Sequence, residues 1–174
     1  MEQQKLFNNI ECIRERIRAA AERSGRKPED ILLVAVSKTV SADAMEAAMQ
    51  KKVFHFGENR VQELMEKYDI LGERCKWHLI GRLQTNKVKY IIDKVQMIHS
   101  LDRMELAEEI QKRAYAVNRI VDCLVQVNIS GEKTKAGVDP AGLIPFLRKV
   151  SQFENVRIKG FMTIAPPADN PEDV

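Results

Sequence analysis

A lysine closes an apolar run, Ile31-Leu32-Leu33-Val34-Ala35-Val36-Ser37-Lys38. Six apolar residues without polar alternation predict a strand buried on both faces. An ammonium at the end of such a strand faces a partly desolvated site. Desolvation disfavours its charged form, which is how a lysine becomes a Schiff-base nucleophile. Taken alone, Lys38 also reads as a surface residue that ends a strand. His55, His78 and His99 fall on three successive predicted strands and raise a metal reading, with metal-dependent hydrolysis as its consequence. Against it, no HxH pair or evident carboxylate ligand accompanies them, and His55 lies two residues before its strand ends, at a different depth from His78. Packed or capping histidines and no metal site are the expectation. Two further segments carry polar chemistry. Gly81-Arg82-Leu83-Gln84-Thr85-Asn86-Lys87 is basic and opens a helix, where free N–H groups attract anions. Residues 128–137 form a long polar loop after an apolar strand, a lid or a solvated connection.

The elements that must position these residues alternate along the chain. Leu6, Ile10, Ile13, Ile17 and Ala20 recur at helical spacing, and Gly25 and Pro28 end that first helix. Strands are predicted at Ile31 to Val36, Val53 to Phe56, Lys76 to Ile80, Val95 to His99, Ile120 to Val127 and Val156 to Thr163. Helical stretches begin near Ser41, Asn59, Thr85, Asp102 and Asp139, most of them at a residue whose side-chain oxygen can cap backbone N–H groups. Glu108 with Lys112 and Glu109 with Arg113 add ion pairs at favourable spacing, and Pro145 delays or kinks the last helix.

Six strands with helical crossovers require a parallel sheet. An open nucleotide-binding sheet places a Gly-rich turn after its first strand, and Ser37-Lys38-Thr39-Val40-Ser41 has no glycine. The expected fold is therefore an α/β protein of the (β/α)8 TIM-barrel type. The markers Lys38, Asn59, Gly81, Asp102 and Asn128 follow one another at 21, 22, 21 and 26 residues, each interval one helix plus one strand. In a barrel these strand ends converge on the face that carries active sites. Taken singly, Asn59 and Asp102 also read as helix caps and Gly81 as a tight turn.

Composition narrows the class. The 174 residues are 44% hydrophobic and 30% charged, enough for one domain with a sizeable core. A net charge of +3 gives no case for nucleic acid or an acidic membrane. Cys12, Cys75 and Cys123 are odd in number and scattered, which implies reduced thiols in a cytoplasmic protein. No targeting segment and no membrane-length apolar run is visible.

Several motifs then occur in order: Val36-Ser37-Lys38-Thr39, Phe56-Gly57-Glu58-Asn59, Trp77-His78-Leu79-Ile80-Gly81-Arg82-Leu83-Gln84-Thr85-Asn86-Lys87, Asn128-Ile129-Ser130, Lys133 to Gly137 and Gly160-Phe161-Met162. Together they resemble the pyridoxal phosphate homeostasis (PLP-binding) protein family, which has the alanine-racemase-type barrel. The resemblance covers essentially everything from residue 5 onward. It implies that Lys38 holds pyridoxal 5′-phosphate as an internal aldimine. It also implies a cofactor-binding set of Lys38, Asn59, His78, Ile80, Gly81, Asn128 and Met162, with Asn59 and the Ile80-Gly81 turn near the ring and Met162 at the rim. No catalytic residue is implied. The family is regarded as cofactor carriers or regulators of vitamin B6 balance without established turnover, and a monomer or weak dimer is the expectation for this chain. The alternative is a PLP-dependent amino-acid racemase or lyase. Racemisation needs an acid–base group on each face of the bound substrate, which related racemases complete with an additional β-domain.

Family members continue for two more strands, with a Ser/Gly-rich turn and an Arg-Ile-Gly motif that hold the phosphate. This sequence stops at Pro171-Glu172-Asp173-Val174. The expectation is a single domain over 1–174, C-terminally short of the family, with about six of eight strands and unpaired edges.

Overall fold

A computed structural model describes residues 2–130 and 136–170. The periodic first stretch folds as α1 (Glu2–Arg23). β1 (Ala35–Val36), α2 (Ala42–Gln50), β2 (His55–Glu58), α3 (Val61–Leu71) and β3 (Lys76–Leu79) follow. A 3-10 turn at Thr85–Lys87 leads into the four-residue α4 (Val88–Ile91). Then come β4 (Val95–Leu101), α5 (Met104–Ala116), β5 (Val121–Gln126), α6 (Leu143–Val150) and β6 (Val156–Met162).

All six strands lie in one sheet in chain order, and every neighbouring pair is parallel. Sequential order with a helical crossover each time is the arrangement of a barrel wall. One face of this sheet carries the core. Phe56, Trp77, Leu79, Ile98, Cys123 and Val125 meet Leu64, Leu71, Ile91, Leu106 and Ile110 from the helices, all 3% exposed or less. Trp77 is fixed there because its Nε1–H donates to the Gly72 carbonyl at 2.8 Å.

The first strand departs from expectation. Only Ala35 and Val36 pair, and the run before them is not buried on both faces: Ile31, Leu32 and Val36 are 38%, 57% and 52% exposed. The reason is position. β1 is an edge with β2 as its one neighbour among the described residues, so the apolar run has no second strand to cover it. The second strand is displaced two residues toward the C-terminus, because Gly57 and Glu58 continue its ladder against His78 and Leu79.

Of the five helix openers, Ser41 and Asp139 cap, and Asn59, Thr85 and Asp102 do not. Ser41 accepts the Ala44 N–H and Asp139 accepts the Ala141 N–H. Asn59 and Asp102 do not cap: the residues before α3 and α5 are Arg60 and Arg103, and neither makes a side-chain cap. Asp102 instead takes the Arg103 guanidinium. Pro145 sits in the first turn of α6, where its missing N–H has no intrahelical acceptor to lose. The Glu109–Arg113 pair forms at 2.6 Å.

Candidate functional site

Because the strands are parallel, their C-terminal ends share one edge of the sheet. Ser37, just past β1, donates its N–H to Gly57 O at 3.0 Å and its hydroxyl to Glu58 Oε1 at 2.7 Å. Ile80, just past β3, donates its N–H to Glu58 O at 2.9 Å. These bonds draw the ends of the first three strands together. Glycine makes the approach possible: a Cβ on Gly81 would lie 2.2 Å from Asn59 O, and one on Gly57 would lie 3.1 Å from two carbons of the Ile80 side chain. Lys38, Asn59, Ile80 and Gly81 thus form one group.

Asn128 and Met162 form a second. An extra residue, Lys159, sits opposite the junction of Cys123 and Leu124, which brings Met162 into register with Gln126. The Met162 carbonyl then accepts the Val127 N–H at 2.9 Å, while Asn128 N bonds Val138 O at 3.0 Å. Gly137 closes that loop's base with φ 136°, its missing Cβ leaving room for Asn128 N. The loop's residues 131–135, among them Lys133 of the motif, lie outside the described residues. β4 and its Asp102-Arg103 corner separate the two groups.

His78 belongs to neither group. It is 1% exposed and uses both ring nitrogens: Nε2 lies 2.9 Å from His55 Nδ1, and Nδ1 lies 2.9 Å from His99 Nε2. The three rings climb the sheet diagonally, since His55 pairs in register with Lys76 and His78 with Met97. The difference in depth read from the sequence is real, but the diagonal step joins the rings rather than separating them. A neutral imidazole has one N–H and one bare nitrogen, so His78 donates to one neighbour and accepts from the other. Burial, followed by the His99 and His55 rings, pushes its pKa down to about 3. Burial lowers His55 and His99 as well, with Lys76 adding to the effect at His55. Among the described residues no cluster of three or more His, Cys, Asp or Glu is arranged to hold a metal ion.

Lys38 is exposed, not desolvated, because the edge strand beneath it is uncovered. Its neighbours are held firmly. Lys67 of α3, 8% exposed, donates to Ser37 O at 2.6 Å, Glu58 Oε1 at 2.7 Å and Glu63 Oε1 at 2.7 Å. Glu63 Oε1 also accepts the Thr39 N–H at 2.6 Å. Desolvation pulls the Lys67 pKa down, but the hydrogen bonds and charges of Glu58 and Glu63 outweigh it and leave it raised. The Lys67 hydrogen bond, then the Thr39 N–H, lowers that of Glu63. Sequence reading missed this network. Its signal was a lysine inside an apolar stripe, with Leu64, Lys67 and Leu71 at steps of three and four.

The basic segment after Gly81 does not form an isolated anion cradle. Arg82 reaches Asp102 at 3.8 Å, and Arg103 joins the same carboxylate while donating to Leu83 O at 2.8 Å.

The profile of the alanine racemase N-terminal domain matches residues 8–174. The chain is 48% identical over 161 residues to the pyridoxal phosphate homeostasis protein of Aquifex aeolicus, covering 92% of this chain and 71% of that one. It belongs to this family. The Escherichia coli member is 37% identical over 166 residues, covering 93% and 71%. Among solved structures, an unknown protein from Bifidobacterium adolescentis superposes with TM-score 0.89 at 33% identity, covering 97% of this chain and 72% of that one. PipY of Synechococcus elongatus with PLP bound superposes with TM-score 0.76 at 37% identity, covering 90% and 73%. Clostridium difficile alanine racemase, 18% identical with TM-score 0.71 over 96% of this chain and 41% of that one, shares the fold. The expected alanine-racemase-type α/β fold and family membership are thereby established.

Proposed function

We propose that this chain binds pyridoxal 5′-phosphate covalently at Lys38 and acts in intracellular PLP homeostasis without catalytic turnover; its relatives are named pyridoxal phosphate homeostasis proteins. The observation that carries the reading is the placement of Lys38. It is an exposed primary amine at the C-terminal edge of a parallel sheet, grouped with Asn59 and the Ile80-Gly81 turn by the bonds that tie the first three strand ends. A 37%-identical relative of the same fold has been solved with PLP bound.

The residues fit the aldehyde end of the cofactor. PLP supplies an aldehyde that condenses with a primary amine and releases water. Lys38 presents that amine, Asn59 is an exposed amide at the end of the neighbouring strand, and Gly81, lacking a Cβ, lets the end of β3 approach the Asn59 backbone. Asn128 and Met162 are assigned to the far rim across β4. His78 is assigned to the floor, where a neutral imidazole satisfied on both nitrogens supports the site without titrating near pH 7. The non-catalytic reading is supported by Lys67: all three of its N–H bonds are engaged, so this second ammonium is occupied in structure. Three free thiols support a cytoplasmic setting, and the oligomeric state assigned is monomer or weak dimer.

The test is spectroscopic. Added PLP is expected to give a visible absorption band that borohydride converts to a stable adduct on the peptide carrying Lys38, and Lys38→Ala is expected to lose both. Retention of the band in Lys38→Ala refutes the assignment. Exchange of amino-acid α-protons in deuterated water above the rate of free PLP would refute the absence of turnover and favour the racemase or lyase reading.

A further inference from the structure

Lys38 is carried by a turn that its own sequence disfavours. Val40 N donates to Ser37 O at 2.9 Å, closing a four-residue turn with Lys38 and Thr39 at its centre. Thr39 has φ 64°, in the left-handed region that glycine and asparagine occupy readily and β-branched residues avoid. Such a conformation persists only where surrounding contacts over-determine it.

Within the turn the Thr39 hydroxyl donates to Lys38 O at 2.6 Å, and β2 holds Ser37 through its N–H and hydroxyl. The contacts to the Thr39 N–H and the Ser37 carbonyl from outside the turn come from one helix. Glu63 and Lys67 stand one turn apart on α3 and grip the turn on both sides of Lys38. Glu63 takes the Thr39 N–H after it, and Lys67 donates to the Ser37 carbonyl before it. The two are joined to each other at 2.7 Å, and Lys67 is anchored from below by Glu58. Three N–H donors therefore meet three oxygens, with no hydrogen of the ammonium left over. The clamp makes no use of the Lys38 side chain, which stays exposed.

We propose that Glu63 and Lys67 are positioning residues for Lys38: they hold the strained turn in one conformation, and so set how fast and how tightly the Lys38 amine captures the aldehyde cofactor. This rests on the assignment of Lys38 as the cofactor lysine. The alternative is that the network merely fastens α3 to the sheet. The two differ in what they predict for Thr39, because a glycine there adopts φ 64° without strain and no longer needs the clamp.

The experiment measures PLP capture by absorbance, well below the melting temperature, in Glu63→Ala, Glu63→Gln, Thr39→Gly and the Glu63→Ala/Thr39→Gly pair. Losing a hydrogen bond to a charged acceptor is expected to slow capture on the order of tenfold in Glu63→Ala. Glu63→Gln keeps an acceptor for Thr39 and is expected to stay within about twofold, and in the Thr39→Gly background the Glu63→Ala effect is expected to shrink to about threefold or less. Glu63 stands at the rim of the network, so these variants avoid the buried charge that Lys67→Met would strand. Capture by Glu63→Ala at the wild-type rate, or an equal loss in the Thr39→Gly background, overturns the proposal. Amide exchange of Thr39 and Val40 is read on the same variants without cofactor. If the parent protein captures no PLP at Lys38, the functional assignment fails. The clamp is still judged on its own: unchanged Thr39 protection in Glu63→Ala overturns it, and loss of protection supports it.

Discussion

Gly81 and Asn59 are in backbone contact: a methyl group on the Gly81 Cα would lie 2.2 Å from the Asn59 carbonyl oxygen and 2.7 Å from its Cα. Backbone cannot swing aside as a side chain does. Gly81→Ala must therefore spread the ends of β2 and β3, which hold three residues of the proposed cofactor group, Asn59, Ile80 and Gly81. Overpacking of this kind costs about 1–3 kcal/mol. The expected outcome is a lower melting temperature together with at least tenfold weaker PLP binding, read by absorbance titration.

Gly57→Ala supplies the contrast. Its added methyl meets two side-chain carbons of Ile80 at 3.1 Å, and a flexible side chain gives way more readily than backbone. The loss in stability is expected to be about half that of Gly81→Ala or less. Thermal melts of the two variants side by side check the order, and a Gly57→Ala protein less stable than Gly81→Ala contradicts it.

The histidine ladder predicts an acid limb in stability. An unfolded imidazole gains a proton as pH falls through about 6.5, whereas His78 in the native protein stays neutral down to about 3. Between those limits unfolding takes up a proton, so stability falls as the pH drops, by at most about 1.4 kcal/mol per unit for this residue. Denaturant unfolding at a series of pH values is expected to show a shallower acid limb in His78→Phe than in the parent. An unchanged slope argues against a buried neutral imidazole.

The three thiols are expected to separate by accessibility. Cys12 is exposed on α1, while burial raises Cys75 to about 11 and Cys123 to about 12. At pH 7.5 a thiol reagent is expected to label Cys12 alone in the native protein and all three in denaturant. Intact-mass measurement reads the count directly.

Breaking the buried pair at Glu58 is expected to be costly. Glu58 is fully buried, with Oε1 shared by Lys67 and Ser37 and Oε2 without a partner. Glu58→Gln removes one charge of a buried pair, for which about 3–5 kcal/mol is typical. Chemical denaturation checks the figure, and a loss within experimental error would show that the pair contributes little.

Much of this was open to reading along the chain. Apolar runs, helical spacing and the regular intervals from Lys38 to Asn128 are local properties, and they carried the alternation of elements, the parallel sheet and the placing of polar residues at strand ends. The ordered motifs carried the family. Boundaries were less legible. Gly57 and Glu58 look like strand breakers, yet each continues β2 in contact with a neighbour from a later element: Ile80, past β3, over Gly57, and Lys67 of α3 beside Glu58.

What the sequence determined by itself was which residue types stand at the ends of which strands, because strand, turn and helix follow from short-range sterics and the period of burial. Only the tertiary structure decided their surroundings. The edge position of β1 leaves Lys38 in the open, the diagonal stagger of β2, β3 and β4 turns three separate histidines into one hydrogen-bonded row, and α3 lays Glu63 and Lys67 across the Lys38 turn. Each depends on register and packing between segments distant in sequence, which no local pattern encodes.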